Sequence, residues 1–477
     1  MDNLARLGIS AFLWTIMGKL SNQIVTFILS IFLARLLSPA DYGLLAMVSV
    51  FIGLSMIFSD LGLSSSVIQR KKLHFSHLSS VFYFNMAIAT LLTILLFCAA
   101  PLISWFYDKP ELYNLTKGMS LIFVVKAFSS VQNNLLIRSL NFKKLSKINF
   151  TSSIISGIVG VYFAFKGYGV WSLVIQQYIL AGCFSILVWV FSDWKPQLCF
   201  STKALKQLWG FGFNMFLSGF INNIYERLDI LIIGKISPVA TLGYYQRAKS
   251  LESMVISYSS GTLASILFPL LSKIQNDLAR YQSVIKKLFQ ILVFVTFMLL
   301  GNLYLSSYEL ILLLFTKKWL PCLEYYQIMI FAGFVVPLSS LLCDVLSSRG
   351  NSKEFLRLEI YKKIICSLAF IALFYFGLKG FLFASLFTGF TALLLNIGFV
   401  IKELRMKWSV FLHPLLIALF ITPLLVFGVN HFIHFHSIWL ALIFKTIAFS
   451  ILYIFASKYI FIDLYANLLN IFKNKTI

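Results

Sequence analysis

Of the 477 residues 59% are hydrophobic and 17% aromatic, only 12% are charged, and the mean hydropathy is +0.87. A soluble core cannot hide so much apolar surface, so the composition excludes a globular cytosolic protein and describes a polytopic membrane protein. The formal net charge of +23 would point to nucleic acid in a soluble chain, but here it matches the concentration of Lys and Arg in cytoplasmic loops.

In chain order, residues 1–9 are short and polar, and the apolar run that follows, 10–37, is far longer than a signal-peptide core. It is expected to stay in the membrane as the first span. Further runs of about 20 residues, enough to cross roughly 30 Å of hydrocarbon, follow it. They lie at 42–67, 78–106, 115–137, 147–166, 170–192, 208–234, 242–268, 286–314, 325–347, 357–377, 380–401, 409–430 and 437–461. The expected fold is all-α with about fourteen transmembrane helices, the 286–347 region being open to another parse because Lys317, Lys318 and Pro321 interrupt it.

The loops carry the alternation this predicts. With a cytoplasmic amino terminus, the inside loops hold 22 Lys and Arg, among them Arg70, Lys71, Lys72, Lys143, Lys144, Arg349 and Arg405. The outside loops and their margins hold eight: Arg35, Lys109, Lys117, Lys166, Lys235, Lys317, Lys318 and Lys379. Both termini are therefore expected in the cytoplasm. Six cysteines lie without CxxC spacing, mostly in or beside apolar runs, and read as packing residues.

A repeat is visible within the chain. Arg35 to Gly43, with Ser38-Pro39, reappears as Lys235 to Gly243, with Ser237-Pro238 offset by 199 positions. The Leu61-Gly62 turn is echoed at Ser260-Gly261 with the same offset. Six helices separate the copies, and an even number preserves orientation, so the halves are expected as parallel repeats related by an axis along the membrane normal. The expected divisions are a first six-helix bundle over 1–200, a second over 201–407, and two further helices with a tail over 408–477.

At these residues the chain resembles the lipid-linked oligosaccharide flippases of the polysaccharide synthesis branch, within the multidrug/oligosaccharidyl-lipid/polysaccharide exporter superfamily. The resemblance rests on Phe32 to Leu44, on Asp60 to Ser65 with Ile68 to Lys71, on Gly169 to Leu173 with Gln176-Gln177, and on Leu228-Asp229 to Gly234 with Leu242 to Ala248. It is similar in particular to colanic-acid-type and teichuronic-acid-type exporters. The resemblance implies two six-helix bundles facing a central cavity in a bacterial inner (plasma) membrane. It also implies a non-enzymatic flippase that moves an undecaprenyl-diphosphate-linked oligosaccharide by alternating access, for O-antigen, capsule or exopolysaccharide synthesis. The implied partners are that substrate, membrane lipids and other polysaccharide assembly proteins, with no cofactor, metal or nucleic acid.

A diphosphate sugar cannot cross hydrocarbon unaided, so positive charge within the spans is what such a substrate requires. The densest charge in an otherwise uncharged region runs from Glu226 to Glu252. Candidate cavity charges are Arg227, Arg247, Lys249, Lys126 and Lys19; candidate supporting or ion-coupling acids are Glu226, Asp229, Glu252 and Asp60; and Pro39 and Pro238 are candidate hinges. In the first repeat the positions of Glu226, Arg227 and Asp229 are Phe27, Ile28 and Ser30, so the bundle does not itself demand charge there. The bland alternatives are outward-snorkelling anchors for Arg247 and Lys249, an Arg227–Asp229 type structural pair, and for Lys126 a buried pair with an acid on another helix. Lys445 and Lys458, on the terminal pair, read as interfacial anchors, as do Trp105, Trp171, Trp194, Trp319 and Trp408 for the aromatic belts. His431, His434 and His436 share one short loop with no nearby carboxylate and read as a turn rather than a metal site.

Two other functions remain open. A drug/cation antiporter of the same superfamily would carry cations, against which the basic excess within the spans counts. A membrane glycosyltransferase or polymerase acting on lipid-linked sugars would need acids on a sizeable outside loop, where only Asp108, Glu111, Glu309 and Glu324 stand.

Overall fold

The computed structural model describes residues 2–59, 61–70, 73–256, 271, 274, 276–349, 352–433, 435 and 437–460, and over them the chain is helical. Among the described residues ten helices are long and apolar enough to cross a membrane, and a bent pair, Glu111–Ala127 with Ser130–Arg138, supplies an eleventh if it forms one span. The chain divides into two compact units, Met1–Gln246 and Arg247–Ile477.

The first unit opens with α1 (Asp2–Leu36), α2 (Pro39–Phe58), α3 (Leu63–Gln69) and α4 (Phe75–Tyr107). It continues with α5 (Glu111–Ser120), α6 (Ile122–Ala127), α7 (Ser130–Arg138), α8 (Phe142–Phe165), α9 (Val170–Phe191), α10 (Thr202–Ile236) and the start of α11 (Val239–Ile256). Lipid tails are as apolar as Leu, so helices in a bilayer associate by close packing and a few polar contacts. The crossing of α1 and α8 uses both: a Cβ on Gly18 would lie 2.0 Å from Ser146 Oγ and one on Gly157 2.0 Å from Leu29 Cδ1. Between them the Ser153 hydroxyl donates to Asn22 Oδ1 at 2.7 Å.

The Ser-Pro junction between α1 and α2 is a capped break. Ser38 is extended at ψ 156° and its hydroxyl accepts from the Asp41 amide at 3.3 Å, while the Asp41 carboxylate accepts from the Ser38 amide at 2.9 Å. Pro39 at the first helical position needs no amide partner, so the junction stops one helix and starts the next within two residues. The first unit runs past residue 200 because the 193–201 connector is pinned to α4: the Gln197 and Ser201 amides donate to Ser79 Oγ at 3.0 Å and Ser80 Oγ at 2.8 Å. Beyond it, Leu208 of α10 joins a cluster with Leu63, Val67, Val81 and Trp194.

The second unit contains α12 (Leu278–Leu305), α13 (Ser307–Phe315), a 3-10 turn (Lys317–Trp319), α14 (Cys322–Ala332), α15 (Val335–Ser348), α16 (Ser352–Ser367), α17 (Ala369–Leu404), α18 (Ser409–Phe432) and α19 (Ile438–Ile460). The ambiguity over 286–347 resolves into α12, a short α13 and the Cys322–Ser348 span, with Lys317 and Lys318 in the turn between. Gly377 breaks α17 at φ 66° and ψ −163°, a conformation essentially reserved for glycine, at the end of the apolar run 357–377 and three residues before the run 380–401 begins.

Three expectations from the sequence are corrected here. Lys445 is not an interfacial anchor: its side chain is only 12% exposed, and its ammonium lies 2.7 Å from buried Glu309, which sits in α13 rather than in an open loop. Trp319 and Trp194 are not belt residues, since both are buried, whereas Trp105 remains exposed. Next to the ion pair, Asn302 donates to Ser450 Oγ at 3.1 Å and Phe449 fills the space left by Gly301. The terminal helix α19 is thereby fixed to α12 and α13 by polar and packing contacts together.

Removing one partner of a buried ion pair strands a charge, at a cost of about 3–5 kcal/mol, whereas replacing both with apolar residues is often neutral. Glu309→Ala should therefore lower the thermal unfolding midpoint and the membrane abundance of the protein, and Glu309→Met with Lys445→Met should recover most of both.

Candidate functional site

In the first unit the charged stretch lies on α10 and the start of α11. Arg227 is half-buried, and its Nη1 donates to the Ser49 carbonyl of α2 at 3.3 Å. Its guanidinium occupies the place where Gly53 lacks a side chain: a Cβ on Gly53 would stand 2.0 Å from Arg227 Cζ. Arg227 Nε is buried with no hydrogen-bond partner, and among the described residues no carboxylate pairs with this side chain. Glu226, the preceding residue, is exposed.

Asp229 is 8% exposed, and its Oδ2 accepts from the Tyr245 hydroxyl at 2.5 Å while Oδ1 accepts from the Ile230 amide at 2.8 Å. The carboxylate thus joins α10 to α11 through a phenol that the sequence reading did not single out. Ser49 and Gly53 were also missed. All three are residue types common in any span, and only their placement opposite a charge gives them meaning.

An apolar groove of about 740 Å³ opens beside this cluster, lined by Phe51 and Leu54 of α2, Leu95, Leu102 and Phe106 of α4, and Leu231 of α10. Arg227 does not itself line the groove, but the two helices that hold it, α2 and α10, contribute Leu54 and Leu231 to the groove wall.

The two Ser-Pro junctions meet within this unit. A Cβ on Gly43 would lie 2.0 Å from the Val239 carbonyl oxygen, and one on Gly243 would lie 1.8 Å from the Pro39 carbonyl oxygen. Each junction therefore presents a backbone carbonyl to the glycine of the other, four residues into the following helix. Pro39 begins α2, and Pro238 stands exposed between α10 and α11.

Arg247 belongs to the second unit and is 5% exposed. Its guanidinium carbon lies 4.7 Å from the Phe315 ring centre and 5.1 Å from that of Trp319, which makes the aromatic faces part of its solvation. Thr316, between those rings, takes φ 78°, a costly value for a β-branched residue. Lys249 and Glu252 are half-buried on α11, and Lys19 is exposed on α1. Lys126 opens into a polar cavity of about 410 Å³ inside the first unit, its ammonium 3.4 Å from the Met56 sulfur and paired with no acid among the described residues. In place of the expected buried ion pair at Lys126, the described residues show a cation that lines a cavity. Asp60, His434 and His436 lie outside the described residues.

A family model described as polysaccharide biosynthesis protein matches residues 32–324, which is more than half of the chain. The chain belongs to that family. Teichuronic acid biosynthesis protein TuaB of Bacillus subtilis is 24% identical over 300 residues, covering 62% of each chain. Lipopolysaccharide biosynthesis protein WzxC of Escherichia coli is 25% identical over 343 residues, covering 70% of this chain and 68% of its own length. Succinoglycan biosynthesis transport protein ExoT of Rhizobium meliloti is 24% identical over 306 residues, and the match spans 62% of that relative. In fold, the chain is similar to a lipid II flippase MurJ in an inward closed conformation, with TM-score 0.73, 19% identity, and coverage of 94% of this chain and 99% of that one. It is also similar to an inward-facing multidrug resistance MATE family transporter of the MOP superfamily, with TM-score 0.59, 13% identity, and coverage of 80% and 94%. The protein is a multi-pass membrane protein of the polysaccharide biosynthesis family.

Two substitutions separate charge placement from folding. Gly53→Ala should push the flexible Arg227 guanidinium off α2 at little cost to the backbone, so membrane abundance and the unfolding midpoint should stay close to wild type. Tyr245→Phe removes a hydrogen bond to a charged group and should destabilise by about 1–3 kcal/mol, read as a lower unfolding midpoint.

Proposed function

We propose that the protein is a flippase that carries an undecaprenyl-diphosphate-linked oligosaccharide across the bacterial inner membrane for surface polysaccharide synthesis, without covalent chemistry. One observation carries this reading: the guanidinium of Arg227, unpaired with any described acid, is held against α2, a helix that also lines an apolar groove. A lipid diphosphate needs both at once, a guanidinium for the phosphate oxygens and an apolar surface for the prenyl chain. The family match and the names of the relatives support the same substrate class.

On this reading the chain crosses the membrane fourteen times with both termini in the cytoplasm, as two parallel six-helix bundles and a terminal pair. Arg227, Arg247, Lys249, Lys126 and Lys19 supply the positive path. Glu226, Asp229, Glu252 and Asp60 position those cations or couple transport to an ion. The Ser-Pro junctions at Pro39 and Pro238 act as hinges, and the reciprocal contact at Gly43 and Gly243 closes one face of the alternating-access cycle. A cation antiporter of the same superfamily is the second reading, and an arginine without an acid partner counts against it.

The decisive experiment complements a strain that lacks the protein and identifies its accumulated lipid-linked intermediates by mass spectrometry. An Arg227→Ala, Arg247→Ala double variant at wild-type abundance should restore export poorly, with Lys at both positions recovering part of it, because charge returns without the bidentate fork. Full export by the alanine variant would remove both arginines from the substrate path. Cysteine at Lys144 should be shielded from an impermeant thiol reagent in whole cells and cysteine at Lys109 labelled. A disulfide between cysteines at Ala40 and Ala240 should halt export without affecting insertion.

A further inference from the structure

Among the described residues, the cavity inside the first unit sets neutral polar groups and one cation in a wall that also includes Ile122, Leu180 and Ala181. Lys126 of α6 shares it with Asn22 of α1, Asn133 of α7, Asn149 and Ser153 of α8, and Gln177 of α9. Among the described residues no acid lines it, and the Lys126 ammonium has the Met56 sulfur as its near neighbour at 3.4 Å. Phe184 adds an aromatic ring to the wall. Its volume of about 410 Å³ falls in the roughly 300–1,000 Å³ range of small-molecule sites.

The lining selects a ligand class. A lone ammonium excludes cations and the amides exclude an acyl chain, which would leave their polar groups unsatisfied. A diphosphate brings more charge than one lysine balances and gains most from guanidinium forks, which this cavity lacks. Amides and hydroxyls that both donate and accept suit a ring bearing hydroxyls, and the single ammonium suits one carboxylate. We propose that this cavity is a binding site for a carboxylate-bearing sugar, a uronate residue of the transported glycan, separate from the diphosphate contact at Arg227. The proposal rests on the reading that the chain carries a lipid-linked glycan, and it narrows that class to acidic repeat units.

The test uses the full chain in lipid nanodiscs, titrated with D-glucuronate, D-glucose and inorganic diphosphate and followed by ligand-observed NMR. Glucuronate should bind at least about tenfold more tightly than glucose, a difference of about 1.4 kcal/mol. That advantage should vanish in Lys126→Gln, return largely in Lys126→Arg, shrink in Gln177→Leu, and persist in Lys166→Gln, which removes an exposed lysine at the end of α8. Equal binding of glucuronate and glucose, or glucuronate binding indifferent to both Lys126→Gln and Gln177→Leu, would overturn the proposal. Competitive displacement of glucuronate by diphosphate would also overturn it, by making this the phosphate site. The diphosphate reading is judged in its own arm, by whether Arg227→Gln weakens diphosphate binding, so the two ideas fail separately.

Discussion

A charge in the hydrocarbon region costs roughly 2.5–3.5 kcal/mol on insertion scales, and every feature of interest in this chain is an answer to that cost. Lys445 is met by Glu309, a full counter-charge, and the result is structural: α19 is held to the second unit. Arg247 is met by the faces of Phe315 and Trp319. Asp229 is met by a phenol, Arg227 by a backbone carbonyl and the absence of a side chain at Gly53, and Lys126 by a polar cavity. Lys445 and Lys126 mark the two ends of this range, a full counter-charge and no described acid partner, and on the proposed function it is Arg227 and Lys126 that offer charge to a ligand.

This ordering explains how much could be read from the sequence. Ten span positions among the described residues followed from apolar runs, and the break at Gly377 from the end of one run, because hydropathy and glycine act locally. Charge placement did not follow. Lys445 and Arg227 are both cations within apolar helices, and nothing in either neighbourhood of sequence tells that one meets Glu309, 136 positions away, while the other meets Ser49, 178 positions away. Trp319 was assigned to an interfacial belt by its position near a span end, yet it is fully buried against a cation. The polar cavity was invisible for a related reason: Asn22, Asn133, Asn149 and Gln177 come from four helices and are unremarkable one at a time. Only Gln177 had been noticed, as part of the resemblance to the polysaccharide branch.

The repeat has a counterpart asymmetry. The first Ser-Pro junction carries the capping box of Ser38 and Asp41, whereas the second has Thr241 in place of the acid. Charge in the second copy has moved instead to the preceding helix, at Glu226, Arg227 and Asp229, where the first copy is uncharged. The two copies share the Ser-Pro junction and differ in where their polar groups stand.

The meeting of the two junctions is made of backbone and one aliphatic side chain. Gly43 and Gly243 each face a carbonyl oxygen, with Val239 Cγ1 also against Gly43, so what joins them is van der Waals contact and Cα–H···O attraction, the latter worth about 0.5–1 kcal/mol apiece. Parting them would break no ion pair and would strand no charge. Such a contact has no ionic-strength dependence and no titration, so its opening and closing would be governed by whatever occupies the protein rather than by the salt or acidity of the medium.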